Sequence, residues 1–185
     1  EFFDVPRKAR GEKTNILVFG GSQGARAINN AMMSALPLLE GRADMLRIVH
    51  QTGEADFEKT REMYARSRIA DHDVRPFISD MFVEFGNADI VVSRAGATTC
   101  AELAASGKAS IMIPLPTAAD DHQRKNAEAF ERAGASKMLL QADLNGESLS
   151  QAIIELIDSP ALVSRMENAA RELGKVDAVA ATVDL

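Results

Sequence analysis

The sequence has little cysteine, little aromatic character and no long apolar run. Its 185 residues contain one cysteine, one tyrosine and no tryptophan, and aromatic residues make up 5% of the total. A single cysteine excludes a disulfide within the chain and suits a reducing compartment. No apolar stretch approaches the ~20 residues of a membrane-spanning helix. The scarcity of aromatic residues argues against a stacking platform for nucleic acid.

Basic charge and metal-ligand spacing are also missing. The formal net charge is −6, whereas a nucleic-acid-binding domain usually presents a basic face. The histidines at 50, 72 and 122 are scattered along the chain and lack the spacing that is typical of metal ligands. We therefore expect neither a nucleic acid nor a metal ion as a ligand.

The chain does contain a regular alternation of short β-rich runs and helical patterns. The predicted strands are 15–20, 46–51, 73–78, 89–93, 109–114 and 136–141. The predicted helices are 25–39, 54–68, 79–85, 99–106, 121–133, 147–157 and 160–173. Because strands alternate with helices, we expect right-handed crossovers and a parallel, doubly wound α/β sheet. Pro76 in the third run predicts an edge strand or a strand end.

The two ends of the chain differ from this alternation. Residues 1–13 are charged and contain Pro6 and Gly11, so we interpret them as a linker. We expect residues 14–175 to form one domain, followed by a C-terminal tail at 176–185.

Ligands of a doubly wound sheet bind at the carboxyl ends of its strands, where the strand-to-helix loops meet. Here those loops are 20–25, 50–53, 77–81, 93–99 and 114–123. They hold most of the glycine, hydroxyl and polar residues that packing does not explain. The sequence therefore predicts a binding site at this edge of the sheet.

The first loop, GGSQGA, is rich in glycine and precedes a predicted helix. Gly20, Gly21 and Gly24 allow a tight turn close to a ligand. The helix that follows directs its first N–H groups toward an anion. A phosphate-binding turn and a tight turn without any ligand are both compatible with this pattern.

This loop differs from two well-known phosphate-binding motifs. Ser22 and Ala25 stand where the dinucleotide-binding fingerprint has glycines, and the Gly-Lys-Ser/Thr of a P-loop is missing. His50 and Gln51 end the second strand, at the place where an acidic residue would hold an adenosine ribose. The pattern thus argues against both motifs.

The fourth loop, SRAGATTCAEL at 93–103, is a second glycine turn before a second helix. Two helix N-termini at one edge suit a diphosphate. Arg94 would add positive charge or lie in solvent. Glu102 has two interpretations that stay open: a capping box with Thr99, or a carboxylate that accepts hydrogen bonds from two sugar hydroxyls. We assign Cys100 to the core.

The fifth loop ends in DDHQ at 120–123, at a predicted helix start. These side chains are either helix caps or a polar surface that reads hydroxyl groups, and a metal site is a weak third alternative. In the third loop and its helix, we assign Met81, Phe82 and Phe85 to the core.

Five segments in this order resemble the motifs of the C-terminal domain of the MurG family of glycosyltransferases. These segments are GGSQGARAIN, HQTG, PFISDM, SRAGATTCAEL and PLPTAADDHQRKNA. The resemblance extends from about residue 14 to about residue 173. It implies the Rossmann-like C-terminal half of a GT-B enzyme that moves N-acetylglucosamine from UDP-N-acetylglucosamine to undecaprenyl-linked muramyl-pentapeptide in peptidoglycan synthesis. It also implies inverting transfer without a metal or cofactor, at the cytoplasmic face of the bacterial membrane.

The resemblance further implies a donor site. The glycine loop and the start of the second glycine-turn helix would lie near the diphosphate, Ile78 would meet uracil through its backbone, and Glu102 would take the ribose hydroxyls. His122 and Gln123 match a polar pair that reads the sugar hydroxyls. The full set of implied donor-binding residues is Gly21, Ser22, Gln23, Gly24, Phe77, Ile78, Met81, Arg94, Gly96, Ala97, Thr98, Thr99, Glu102, Asp121, His122 and Gln123.

The resemblance implies that the catalytic base and the site for the lipid-linked acceptor lie in an N-terminal domain of the family. No segment of this sequence matches that domain. We therefore expect no catalytic residue in this chain and interpret it as an excised half. On this interpretation, residues 1–13 are an interdomain linker and 176–185 the remnant of a helix that crosses the domains. Two alternatives remain: a separate donor-binding subunit of a dolichol-type N-acetylglucosamine transferase, and a non-catalytic nucleotide-binding module.

Overall fold

In the described part of the chain, six parallel strands form a sheet in the order β3-β2-β1-β4-β5-β6. The computed structural model describes residues 11–21 and 25–183, with the backbone alone at Ala119 and at 176–183. The strands are β1 Thr14–Phe19, β2 Leu46–Gln51, β3 His72–Arg75, β4 Ile90–Ser93, β5 Ala109–Met112 and β6 Ser136–Met138. Every strand pair is parallel, which confirms the predicted doubly wound α/β fold.

Seven α-helices are described around this sheet. They are α1 Arg26–Leu39, α2 Phe57–Arg66, α3 Met81–Asn87, α4 Ala97–Ser106, α5 His122–Arg132, α6 Gly146–Ile157 and α7 Pro160–Val183. Short 3-10 helices occupy Glu40–Met45, Glu54–Asp56 and Ala119–Asp121. Among the described residues, no helix combines the length and the apolar character that crossing a membrane requires.

The central strands are apolar on both sides because helices cover both faces of the sheet. Ile16 and Val18 of β1 face one apolar layer, which includes residues of α1, α2 and α6. Leu17 and Phe19 face a second layer, which includes residues of α3, α4 and α5. Helix α7 begins against the first layer and continues against the second. Helices thus pack on both faces of the sheet, and the strand-to-helix loops lie at its carboxyl edge.

Element boundaries differ from the predictions where local signals compete. Strand β3 ends at Arg75, before Pro76, and lies at an edge of the sheet, as the proline predicted. Strand β6 ends at Met138, so Gln141 lies in a loop beyond it. Helix α4 begins at Ala97, ahead of the predicted start at 99. Helix α7 continues to Val183, beyond the predicted end at 173.

Candidate functional site

A cleft of about 600 Å³ lies at the carboxyl edge of the sheet. Strands β1 and β4, which end at this cleft, are the neighbours at which the strand order reverses, and this is where doubly wound sheets bind ligands. The described lining residues are Gly20, Gly21, Ala25, Arg26, Ala27, Arg94, Gly96, Ala97, Thr98, Thr99, Leu115, Gln123 and Gln141. The volume falls within the range typical of small-molecule sites.

The glycine turn after β1 brings the start of α1 close to the strand. A Cβ on Gly20 would lie 2.0 Å from the Cβ of Ala25, so only glycine fits there. Gly21 has a φ of 99°, in the left-handed region that favours glycine. Helix α1 has Ala25 as its N-cap, with no side-chain cap and no acidic residue in the first turn. Its first N–H groups are thus suited to an anionic ligand.

The second helix N-terminus at the cleft belongs to α4. Its N-cap is Gly96, again without a side-chain cap or an acidic residue in the first turn. Because α4 begins at Ala97, Thr99 lies inside the first turn and does not cap the helix. The capping-box interpretation of Thr99 and Glu102 is therefore wrong.

Glu102 is half-buried on α4, one helical turn from Thr98 and on the same helix face. No described side chain forms an ion pair or hydrogen bond with its carboxyl group. Burial raises the pKa of this carboxyl above its usual value. An unpaired, partly desolvated carboxylate does not stabilise the fold, which favours a role in binding a ligand.

Arg94 is half-buried at the cleft and its guanidinium is held in place. It donates to the carbonyl oxygens of Ile113 and Pro114, at 3.1 and 3.4 Å, and to Oε1 of Gln141 at 2.6 Å. Burial lowers its pKa, and no described carboxylate lies within ion-pair distance of it. Arg94 is therefore not a solvated surface residue, and it gives the cleft a positive charge without a described counter-ion.

Gln123 is the member of the DDHQ segment that lines the cleft. Its Oε1 accepts a hydrogen bond from the backbone N–H of Leu115 at 3.0 Å, which orients the amide. Asp120 and Asp121 both have left-handed backbone angles, with φ of 49° and 56°. Asp121 is the N-cap of α5 but makes no cap hydrogen bond through its side chain, so the interpretation of Asp121 as a side-chain cap is wrong. His122 is exposed.

The residues predicted to lie at the uracil ring are not among those that line the cleft. Phe77 is 59% exposed, whereas the side chain of Ile78 is buried in the second apolar layer. Met81 packs at the edge of that layer, and Phe85 is fully buried within it. The assignment of Met81 and Phe85 to the core is thus supported, with Met81 at its edge, whereas Phe82 is half-buried and is not among the described residues of either layer. Cys100 also lies at the edge of the second layer.

The cleft therefore brings together Gly21, Arg94, Gln123 and the start of α4 at residues 96–99. The other described residues of the predicted set do not line it: Phe77, Ile78, Met81, Glu102, Asp121 and His122. Asp121 instead lines a neighbouring cleft of about 230 Å³. Ser22, Gln23 and Gly24 lie outside the described residues.

Two glutamines at the site were missed by the sequence reasoning. Gln141 lines the cleft and accepts from Arg94. Gln51, 2% exposed, donates from Nε2 to the carbonyl of Gly21 at 2.9 Å and accepts at Oε1 from the N–H of Ile78 at 2.8 Å. For Gln51, the available signal was an uncharged polar residue at the end of a buried strand, whereas Gln141 lies in the loop after β6.

His50 is fully buried and contributes to the fold. Its Nε2 lies 3.1 Å from Oδ1 of Asn29, and its Nδ1 lies 3.2 Å from the hydroxyl of Tyr64. Burial lowers its pKa to about 3, so the ring is neutral at physiological pH. In the described part of the chain, no group of three or more His, Cys, Asp or Glu side chains is arranged to hold a metal.

A doubly wound sheet with two helix N-termini and an arginine at its switch point defines a Rossmann-like domain suited to a phosphate-containing ligand. The family model described as the glycosyltransferase family 28 C-terminal domain matches residues 15–181, and this chain belongs to that family.

Two curated relatives show how the chain relates to whole proteins. Both are named UDP-N-acetylglucosamine–N-acetylmuramyl-(pentapeptide) pyrophosphoryl-undecaprenol N-acetylglucosamine transferase. The relative from Geobacter sp. is 50% identical over 173 residues, which are 94% of this chain and 46% of that protein. The relative from Solibacter usitatus is 43% identical over 185 residues, which are 100% of this chain and 50% of that protein. The chain thus spans about half the length of these relatives.

Solved structures agree with the fold. The crystal structure of MurG from Acinetobacter baumannii is 36% identical, with a TM-score of 0.77 over 90% of this chain and 49% of that one. The spinosyn rhamnosyltransferase SpnG, at 15% identity, has a TM-score of 0.65 over 90% of this chain and 42% of its own. The fold is therefore that of one half of a GT-B glycosyltransferase.

Proposed function

We propose that this chain is the donor-binding half of an inverting glycosyltransferase. The whole enzyme moves N-acetylglucosamine from UDP-N-acetylglucosamine to undecaprenyl-pyrophosphoryl-muramyl-pentapeptide, which converts lipid I to lipid II. The observation that carries the proposal is the convergence of two helix N-termini and one arginine on a single cleft. The names of relatives that match nearly the whole chain support the choice of donor and acceptor.

The diphosphate of the donor lies between the first turns of α1 and α4. Each helix N-terminus acts as roughly half a positive charge, and neither first turn carries an acidic side chain that would oppose an anion. Arg94 adds a charge that no described carboxylate neutralises. Together these groups offset the charge of a diphosphate without a metal ion.

Glu102 binds the ribose. Its carboxylate has no described partner, and it lies on the helix face that also carries Thr98 of the cleft. A carboxylate accepts hydrogen bonds from two adjacent hydroxyls, and charge-assisted bonds of this kind are stronger than neutral ones. The exposed ring of Phe77 and the backbone of Ile78 lie in the loop after β3, and this loop holds the uracil ring.

Gln123 and His122 lie where the sugar is placed. The Gln123 amide is oriented by Leu115 at the cleft, and His122 is the exposed residue before it. Both side chains carry groups that hydrogen-bond to sugar hydroxyls. The sugar therefore lies on the α5 side of the diphosphate.

Transfer requires an acceptor hydroxyl that loses its proton and attacks the anomeric carbon opposite to the leaving UDP. The bond from that carbon to the diphosphate oxygen breaks, and the helix N-termini stabilise the charge that develops on UDP. His50 cannot serve as the base, because it is fully buried, both ring nitrogens face Asn29 and Tyr64, and a pKa of about 3 makes it a weak proton acceptor. The base and the lipid-linked acceptor belong to the other half of the enzyme, which works at the cytoplasmic face of the membrane.

Calorimetric titration of the chain with UDP, ADP and NAD tests the donor assignment. We expect UDP to bind and ADP and NAD to bind far more weakly. A transfer assay with UDP-N-acetylglucosamine and a lipid-linked muramyl-pentapeptide then tests whether the catalytic base and the acceptor site lie in the other half. We expect no product from this chain alone. Tighter binding of NAD than of UDP would contradict the assignment, and robust product that is lost in His122→Ala would place the base in this half.

A further inference from the structure

Gln51 connects two loops that are far apart in the sequence. It is the last residue of β2, and its register partners are Phe19 at the end of β1 and Arg75 at the end of β3. Its side chain donates to the carbonyl of Gly21 in the loop after β1 and accepts from the N–H of Ile78 in the loop after β3. One buried amide therefore spans the carboxyl ends of three neighbouring strands.

We infer that Gln51 is a positioning residue that holds the phosphate-binding turn in register with the base-binding loop. This inference rests on the proposed function, which places the diphosphate at the first loop and the base at the second. Gln51 touches neither part of the donor in this arrangement, because it is 2% exposed and lies beneath both loops.

The glycine turn needs such a partner. A Cβ placed on Gly21 would meet nothing within 4 Å, so no described atom packs against that side of the residue. Its φ of 99° lies in a region that glycine enters and leaves easily. The 2.9 Å bond from Gln51 fixes the direction of the Gly21 carbonyl group, at the point where the chain enters the proposed phosphate-binding turn.

Glutamine fits both bonds because one amide supplies a donor and an acceptor. Glutamate keeps the acceptor for Ile78 but turns an oxygen toward the carbonyl oxygen of Gly21, where a donor is needed. Methionine has a similar length and provides neither bond. Gln51→Glu thus perturbs the phosphate side selectively, and Gln51→Met perturbs both sides.

The test measures the affinities of uridine and UDP for the same chain by calorimetry at pH 8, where the introduced carboxyl is most ionised. For Gln51→Glu we expect UDP affinity to fall at least tenfold while uridine affinity changes less than about threefold. For Gln51→Met we expect both affinities to fall. The ratio of the two affinities is the informative readout, since a general loss of stability lowers both together.

Thr52→Val is the matched control. Thr52 is buried directly after Gln51, and its hydroxyl donates to the carbonyls of Gly53 at 2.9 Å and Arg75 at 3.4 Å, whereas Gln51 bonds to Gly21 and Ile78. We expect this variant to lower Tm and leave the affinity ratio unchanged. If Gln51→Met does not fold, Gln51→Glu alone decides. An unchanged ratio in Gln51→Glu overturns the inference, whereas failure of the unaltered chain to bind UDP overturns the proposed function itself.

Discussion

Replacing Glu102 with glutamine separates binding from folding at the proposed ribose site. The change keeps the size of the side chain and removes its charge. Hydrogen bonds to a charged group contribute about 1.5–3 kcal/mol, which corresponds to a loss of UDP affinity of roughly 10- to 150-fold. Calorimetry with UDP measures this directly. Glu172→Gln, at an exposed carboxylate that pairs with Lys175 on α7, is the control and leaves the affinity unchanged.

The stability of the same variant follows from the raised pKa of Glu102. Because the pKa is higher in the folded state than in the unfolded state, the ionised carboxylate destabilises the fold above the folded pKa. This penalty disappears as the pH falls below the unfolded pKa. Glu102→Gln therefore has a Tm equal to or slightly above that of the unaltered chain at pH 7, and the difference vanishes in acid. A lower Tm at pH 7 with unchanged UDP affinity would refute the ribose assignment.

Three further predictions concern the metal, the buried histidine and the glycine turn. UDP affinity measured by calorimetry does not change when EDTA is added, and a marked loss would show that a metal bridges the diphosphate. The unaltered chain loses stability as the pH falls from about 6.5 to about 3, because His50 is neutral in the folded state and becomes charged in the unfolded state. His50→Gln reduces this loss. Equal profiles of Tm against pH for the two proteins would contradict the lowered pKa of His50. Gly20→Ala lowers both Tm and UDP affinity, because its Cβ would lie 2.0 Å from that of Ala25, and a variant with normal Tm and affinity would show that the turn adapts.

Much of the fold could be predicted because the signals are local and repeated. Apolar runs such as 15–20 alternate with amphipathic helices, and parallel strands with short crossovers leave few arrangements. The effect of Pro76 was also predictable, since proline cannot donate to the next strand. The end of β6 was harder to predict, because Leu139 and Leu140 continue the apolar run although the strand ends at Met138.

The start of α4 shows why local motifs can mislead. Thr99 and Glu102 have the spacing of a capping box, yet Gly96 is the N-cap and the helix begins at Ala97, so both residues lie inside it. A glycine and a threonine three residues apart are both acceptable N-caps. The local sequence does not determine which of the two becomes the N-cap after strand β4.

The members of the site that were missed depend on distant parts of the chain. Gln51 acts on Gly21 and Ile78, and Gln141 acts on Arg94 at a separation of 47 residues. No local spacing encodes these partners, because they meet only when the strands stand side by side. The glycine loops, in contrast, carry their signal in their own composition.

The most direct test of the central claim is a crystal structure of this chain soaked with UDP-N-acetylglucosamine. We expect the diphosphate between the first turns of α1 and α4, with the ribose hydroxyls within hydrogen-bond distance of the Glu102 carboxylate. We also expect the sugar beside Gln123. A donor bound elsewhere on the chain, or bound in this cleft with its ribose turned away from Glu102, would contradict the account.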